Sequence, residues 1–350
     1  MGHFNIVNSS FVKCECLFLT DESGNPLLVP ILQVALAIKG DGSHKKLVVA
    51  DDEHYVNLSG ETWSDAENSS IKYEPQIAFH KLATDVILIG HGYTTKGSET
   101  ETLVGLRIGP LQKVVRVVGD RYLFRRSGHV SVTSPLPFER IPLIYENAFG
   151  GWDRRKTSAF GNQFESRNPV GTGFRVTTID LDDQVKLPNL EDPRRPYLAY
   201  GDTPPPVGFG FISPNWQPRS SFAGTYDEVW DRERKPLLPK DFDRRFFNAA
   251  SSGLIAPGYL MGDELISVIN ASPEGKMSFS LPGIPSPRCK VCLHGGTEEI
   301  VQTVLDTVII NTDESLVYLI WRGYIAIRSG PHDVISVRVR ARGPTDRKLA

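Results

Sequence analysis

Val304-Leu305-Asp306-Thr307-Val308-Ile309-Ile310-Asn311, then Thr312-Asp313-Glu314-Ser315, then Leu316-Val317-Tyr318-Leu319-Ile320-Trp321 is the stretch that decides the fold. Two runs rich in β-branched, aromatic and aliphatic residues flank four polar turn formers. That order predicts an antiparallel hairpin with a four-residue loop. The same texture recurs along the chain. Residues 11–19 read as a strand, Asp21-Glu22-Ser23-Gly24-Asn25-Pro26 as a dense turn, and 27–38 as its hairpin partner. Further strands are predicted at 47–50, 85–93, 102–108 and 113–118, the last two flanking the turn at Gly109-Pro110. Residues 324–328 and 334–339 add predicted edge strands. In Val337-Arg338-Val339-Arg340 the alternation puts both arginines on one strand face, as on a solvated edge followed by a charged tail with Arg342, Arg347 and Lys348.

The centre of the chain differs. Residues 121–245 hold Pro135, Pro137, Pro142, Pro169, Pro188, Pro193, Pro196 and Pro204-Pro205-Pro206, so regular elements cannot run far. They also hold Trp152, Trp216, Trp230 and many phenylalanines, which need burial or a partner. The segment reads as packed irregular structure, with one short helix predicted at 241–251 behind an Asp241 N-cap. No fixed-period repeat, heptad pattern or long amphipathic helix appears. The fold class is therefore mainly β with few short helices: antiparallel sheets or a sandwich around a long Pro/Gly-rich irregular segment. Residues 1–350 read as one continuous domain, with a β-rich part at 11–120, the irregular centre at 121–245 and a β-rich part at 255–340.

Composition narrows the function classes. The 31 Gly and 25 Pro among 350 residues make about 16%, against a usual ~12% and short of low complexity. With 40% hydrophobic and 23% charged residues, the chain can bury a core, which excludes disorder. Lys and Arg number 39 against 41 Asp and Glu, so no basic excess points to nucleic acid. Residues 1–10 lack a basic segment followed by an apolar run, and 27–38, interrupted by Pro30 and Gln33, is too short to span a bilayer. The expectation is a cytoplasmic protein without a membrane or nucleic-acid partner.

Catalytic and ligand motifs are scarce. Cys14 and Cys16 share one strand face, and Cys289 and Cys292 form a C-x-x-C beside His294, but the two pairs are too far apart in sequence for a compact zinc module. Free thiols are expected, and no metal or cofactor. His91 lies between Gly90 and Gly92 as an exposed turn histidine. No nucleophile elbow or P-loop occurs, and the Gly171-x-Gly173 and Gly208-x-Gly210 pairs lack dinucleotide-site context. Glu146 and Asp227 are the carboxylates a β-rich hydrolase would have to bring together.

Several unusual clusters follow one another in order: Phe79-His80-Lys81-Leu82-Ala83-Thr84-Asp85, Tyr145-Glu146-Asn147-Ala148-Phe149-Gly150-Gly151, Asn168-Pro169, Leu187-Pro188-Asn189-Leu190-Glu191, Gly224-Thr225-Tyr226-Asp227, Phe246-Phe247-Asn248-Ala249-Ala250, Leu305-Asp306-Thr307 and Trp321-Arg322-Gly323. This series resembles a bacterial family of type VI secretion effector adaptors, long classed only as a domain of unknown function. The resemblance spans about residues 11–328. Ser251-Ser252-Gly253-Leu254 departs from it, standing where the family tends to carry a more polar, glutamine-bearing stretch. The resemblance implies an adaptor or chaperone that binds a cytoplasmic toxic effector and helps load it onto the VgrG spike and its PAAR tip, without catalysis. The candidate binding residues are Tyr145, Glu146, Phe149, Gly150, Gly151, Trp152, Asn168, Trp216, Arg219, Tyr226, Asp227 and Trp230, with Arg154 and Arg155 as further aromatic-adjacent cations. The rival expectations are a hydrolase using paired carboxylates and a structural component of the secretion apparatus.

Overall fold

The computed structural model describes residues 4–65, 68–158, 161–176, 179, 183–328 and 330–343, and the described chain is β-rich. The deciding hairpin forms from strands Val304–Asn311 and Leu316–Arg322, with Asn311 opposite Leu316 and a bulge between Leu305 and Thr307. It is the middle of a seven-stranded sheet. Lys13–Thr20 pairs with Pro26–Lys39, which pairs with Leu316–Arg322, then Val304–Asn311, then Asp85–Ile89; Lys46–Val49 and Ile325–Ala326 also pair with Pro26–Lys39. The pairing is antiparallel except between Val304–Asn311 and Asp85–Ile89.

Pro30 survives inside the long Pro26–Lys39 strand because of a gap on one side. The neighbouring strand ends at Arg322 opposite Ile31, and pairing resumes at Ile325 opposite Leu28. The Pro30 carbonyl faces that gap, accepting from Gly323 N at 3.3 Å, so its missing N–H costs no ladder bond.

A five-stranded sheet runs Leu190–Glu191, Leu111–Val118, Glu101–Ile108, Leu265–Ile269, Lys276–Ser280. A four-stranded sheet runs Asn5–Asn8, Val334–Arg340, Arg288–Leu293, Glu298–Gln302. Apolar side chains of all three sheets merge into one continuous core. A smaller core of Leu123, Phe149, Ile179, Leu187 and Tyr197 sits within the irregular centre, beside a three-stranded sheet of His129–Val132, Tyr122–Arg126 and Gln184–Lys186. The irregular chain also covers the open side of Asp85–Ile89: Val86 N donates to Leu254 O at 2.9 Å and Leu88 N to Phe209 O at 3.2 Å.

Three expectations are corrected. Val334–Arg340 is not an edge strand, because Asn5–Asn8 and Arg288–Leu293 flank it; the alternation holds, with Val337 and Val339 buried and Arg338 and Arg340 exposed. Arg347 and Lys348 lie outside the described residues. The predicted strand at 85–93 breaks at Gly90, where a Cβ would lie 2.1 Å from Thr312 Oγ1. The predicted helix at 241–251 is one 3-10 turn, Arg244–Phe247, capped by Asp243 rather than Asp241. The Asp85 carboxylate accepts from Asn248 Nδ2 at 3.0 Å and Ala249 N at 2.9 Å, and Ala250 bridges to Phe211, so tertiary partners claim the backbone a longer helix would need. The single α-helix among the described residues is Glu228–Glu233.

Charge is buried at the parallel junction of the main sheet. Arg322 Nε donates to Asp306 Oδ2 at 2.6 Å, and Arg322 Nη2 to Gln76 Oε1 at 2.7 Å. Asp306 Oδ1 accepts from Thr307 Oγ1 at 2.8 Å, and that hydroxyl accepts from Lys81 Nζ at 2.8 Å. Lys81 also pairs with Asp85 at 2.8 Å. Removing one member strands an opposite charge in the interior, a loss of about 3–5 kcal/mol. Arg322→Met is expected to cost that much in equilibrium urea unfolding, and Asp306→Asn combined with Arg322→Met less than Arg322→Met alone.

Candidate functional site

The structure brings one group of the candidate residues into a knot. Asn168 Nδ2 donates to Tyr145 O at 2.8 Å and Phe149 O at 3.0 Å, and Gly151 N donates to Asn168 O at 2.9 Å. The approach leaves no room for side chains: a Cβ at Gly150 would lie 2.1 Å from Asn168 O, and one at Gly151 2.4 Å from Gly171 O. Tyr145 is buried and meets the buried Trp216 edge-on at 5.6 Å, and Phe149 fills the smaller core. The Glu146 carboxylate accepts from Ser70 N at 2.7 Å, Ser69 Oγ at 2.8 Å and Ser70 Oγ at 2.6 Å. Arg219 is buried as well, donating to Phe246 O, Ile212 O and Glu74 Oε1 at 2.8, 2.7 and 2.6 Å.

A second group gathers at the short helix. Asp227 Oδ1 accepts from Trp230 N at 2.8 Å, an N-cap. The Trp230 ring meets Tyr226 at 4.7 Å, its Nε1 donates to Leu237 O at 2.8 Å, and Tyr226 is 54% exposed. Glu146 and Asp227 thus serve different elements.

Trp152 stands apart, on the two-stranded hairpin Trp152–Ser158 and Gly161–Phe164. Its ring stacks on Phe164 at 4.3 Å with 21° between planes, and Arg154 lies 5.9 Å from its centroid. Trp152 and Phe164 are 40% and 43% exposed. The hairpin base is anchored by Asp153, which is buried and paired with Arg175 at 3.2 Å. The side chain of Arg155 lies outside the described residues.

Of the cysteines, Cys14, Cys16 and Cys289 come together across two sheets. Hydrogen bonds from the neighbouring Cys16 and Cys289 thiols hold Cys14 below the usual thiol range. The bond to Cys14, with burial, pushes Cys16 and Cys289 up. Cys292 lies apart, 3.6 Å from Glu298 Oε1. No cluster of His, Cys, Asp or Glu among the described residues has the geometry to hold a metal ion. His91 Nδ1 lies 2.9 Å from Asp313.

A cavity of about 250 Å³ opens on the main sheet. Gln33, Ile309, Tyr318 and Ile320 supply its floor, Tyr55 and Asn57 one wall, and Lys72, Tyr73, Glu74 and Gln76 another. The Gln33 side chain shapes it, donating to His54 O at 3.2 Å and Tyr55 O at 3.0 Å. Arg219 is the one candidate residue that reaches this region, through Glu74. No spacing in the sequence marks the cavity. The available signal is Gln33, the one polar side chain within the apolar run 27–38.

Lys113 faces the Ser251-Ser252 stretch. Its Nζ donates to Ser251 Oγ at 2.7 Å and Ser252 O at 2.8 Å, and Ser251 Oγ donates to Gly208 O at 2.8 Å. The pairing resembles a nucleophile with its base, but Ser251 is 2% exposed and its proton is already committed. Burial pushes Lys113 down to about 7, with Asp192 opposing weakly. The folded form then binds fewer protons than the unfolded one between about pH 7 and the ordinary lysine value near 10.4. Stability therefore rises with pH across that window and is lost as pH falls toward 7. Urea unfolding at pH 7, 8 and 9 is expected to show a slope of up to about 1.4 kcal/mol per pH unit that Lys113→Met removes.

Among the described residues no helix is long and apolar enough to cross a membrane. No curated protein and no solved structure matches the chain. A family model described as "Uncharacterized protein conserved in bacteria (DUF2169)" matches residues 23–322, which include the Val304–Arg322 hairpin of the main sheet, the Asn168 knot and the lining of the cavity. The chain belongs to this DUF2169 family of bacterial proteins.

Proposed function

We propose that the protein is a type VI secretion adaptor: it binds a toxic effector in the bacterial cytoplasm and assists its loading onto the VgrG/PAAR spike, without turning over a substrate. The ordered series of motifs, which resembles that adaptor family, motivates the reading. The observation that carries it is the exposed Trp152–Phe164 stack with Arg154 beside it. Tryptophan and arginine are the residues that most often anchor protein interfaces, and a stacked pair loses little side-chain entropy on burial. The engagement of Glu146 by Ser69 and Ser70, and of Asp227 by the helix it caps, supports binding over hydrolysis.

Co-expression with any effector-like protein encoded by a neighbouring gene, followed by affinity purification, tests the proposal. A stoichiometric complex is expected. Trp152→Ala is expected to weaken it about 30-fold, the worth of a ~2 kcal/mol interface anchor, with an unchanged circular dichroism spectrum. Unchanged affinity in Trp152→Ala would remove the anchor. Unchanged effector solubility and spike loading after deletion of the gene would overturn the adaptor reading.

A further inference from the structure

The cavity on the main sheet plays no part in the adaptor reading, which places capture on the Trp152 hairpin. Its lining nevertheless specifies a ligand. At about 250 Å³ it falls below the ~300–1,000 Å³ of pockets for drug-sized molecules, so it suits a group the size of one side chain.

Hydrogen-bond accounting gives the polarity of that group. The amide donors of both lining glutamines are spent: Gln33 Nε2 on two backbone carbonyls and Gln76 Nε2 on Glu74 O at 2.9 Å. The single lining cation, Lys72, is held between Glu61 at 3.1 Å and Glu314 at 3.7 Å. Acceptors are left over. Gln33 Oε1 accepts from no donor among the described residues. Glu74 Oε2 is buried with no hydrogen-bond partner, while Oε1 is neutralised by Arg219. A buried acceptor without a donor is costly, and a ligand that donates relieves that cost.

Charge and ring chemistry agree. With Glu74 offset by Arg219, Glu61 and Glu314 stand against Lys72 alone, leaving one excess negative charge. Three tyrosine rings, Tyr55, Tyr73 and Tyr318, line the same space. Aromatic faces beside carboxylates attract cations. Lys72 already shows the arrangement: its Nζ lies 5.2 Å from the Tyr73 centroid and 5.6 Å from that of Trp63. We propose that the cavity is a binding site for an alkylammonium group, an apolar stem ending in a protonated amine. Ile309 and Ile320 on the floor take the stem. A lysine side chain of a partner polypeptide and a free polyamine share this chemistry.

The test is titration calorimetry on the intact protein with n-butylammonium chloride, n-butanol and sodium n-butyrate at matched ionic strength. Saturable one-to-one binding of n-butylammonium is expected, at least ten-fold tighter than n-butanol, with no butyrate binding. Glu61→Gln and Glu314→Gln are expected to weaken it three- to ten-fold each. Lys72→Gln is expected to tighten it about three-fold, because both carboxylates lose their internal cation. The three side chains are 49%, 45% and 20% exposed, and circular dichroism confirms folding of each variant. Tighter binding of Nα-acetyl-lysine methylamide than of spermidine assigns the amine to a polypeptide, and the reverse order assigns it to a free polyamine. Absence of n-butylammonium binding, equal affinity for n-butanol, or loss of binding in Lys72→Gln would overturn the proposal. Effector capture is read separately, so neither result decides the other.

Discussion

Buried charge at the junction of Val304–Asn311 with Asp85–Ile89 is the constraint on which the architecture turns. Thr307 lies opposite Asp85 in that parallel pairing, and the Lys81, Asp85, Asp306 and Arg322 charges meet around it. Two cations and two anions balance, and neighbouring amides and carbonyls take up further hydrogen-bonding positions. The arrangement tolerates no slip. A shift of one residue would carry the side chains of Val304–Asn311 to the other face of the sheet and leave Arg322 and Lys81 without these partners in the interior. The same network recruits the chain outside the sheet. Asp85 holds Asn248 and Ala249, and Arg322 holds Gln76, so the segments before and after the irregular centre are fixed to the sheet by side-chain chemistry.

This explains why the ordered motifs of the sequence carry so little catalytic pattern. Lys81, Asp85, Asn248, Asp306 and Arg322 come from four separate clusters in the chain yet form one network. Tyr145, Phe149, Gly150, Gly151 and Asn168 form another, in which backbone meets backbone too closely for any side chain but hydrogen. Glu191 ties a third, paired to Arg116 at 2.8 Å and to Arg121. Such positions are specified by partners distant in sequence, so each cluster alone looks unusual and purposeless.

Much of the fold was legible because strand and turn chemistry is local. The hairpins across Asp21–Pro26, Gly109-Pro110 and Thr312–Ser315 follow from period, branching and turn residues. What could not be read was set by neighbours. Val334–Arg340 alternates like an edge strand, and only its pairing with Asn5–Asn8 makes it interior. The helix expected after Asp241 has adequate local signals, and Asp85 overrides them. The cavity draws on residues from 33 to 320, with no motif spacing among them. Trp152 was legible as an aromatic candidate, but its exposure beside Phe164 depends on a hairpin that closes around it.

The order of strands in the main sheet has a consequence for synthesis. Pro26–Lys39 is apolar and largely buried, yet the strand on its other side from Lys13–Thr20 is Leu316–Arg322, far along the chain. At about 5–20 residues per second, the ribosome needs roughly 15 to 60 s to reach that partner after the first strand has emerged. Through that interval the N-terminal hairpin presents an open, hydrophobic edge to everything around the nascent chain. Shielding of that edge until Leu316–Arg322 emerges is therefore part of making the protein.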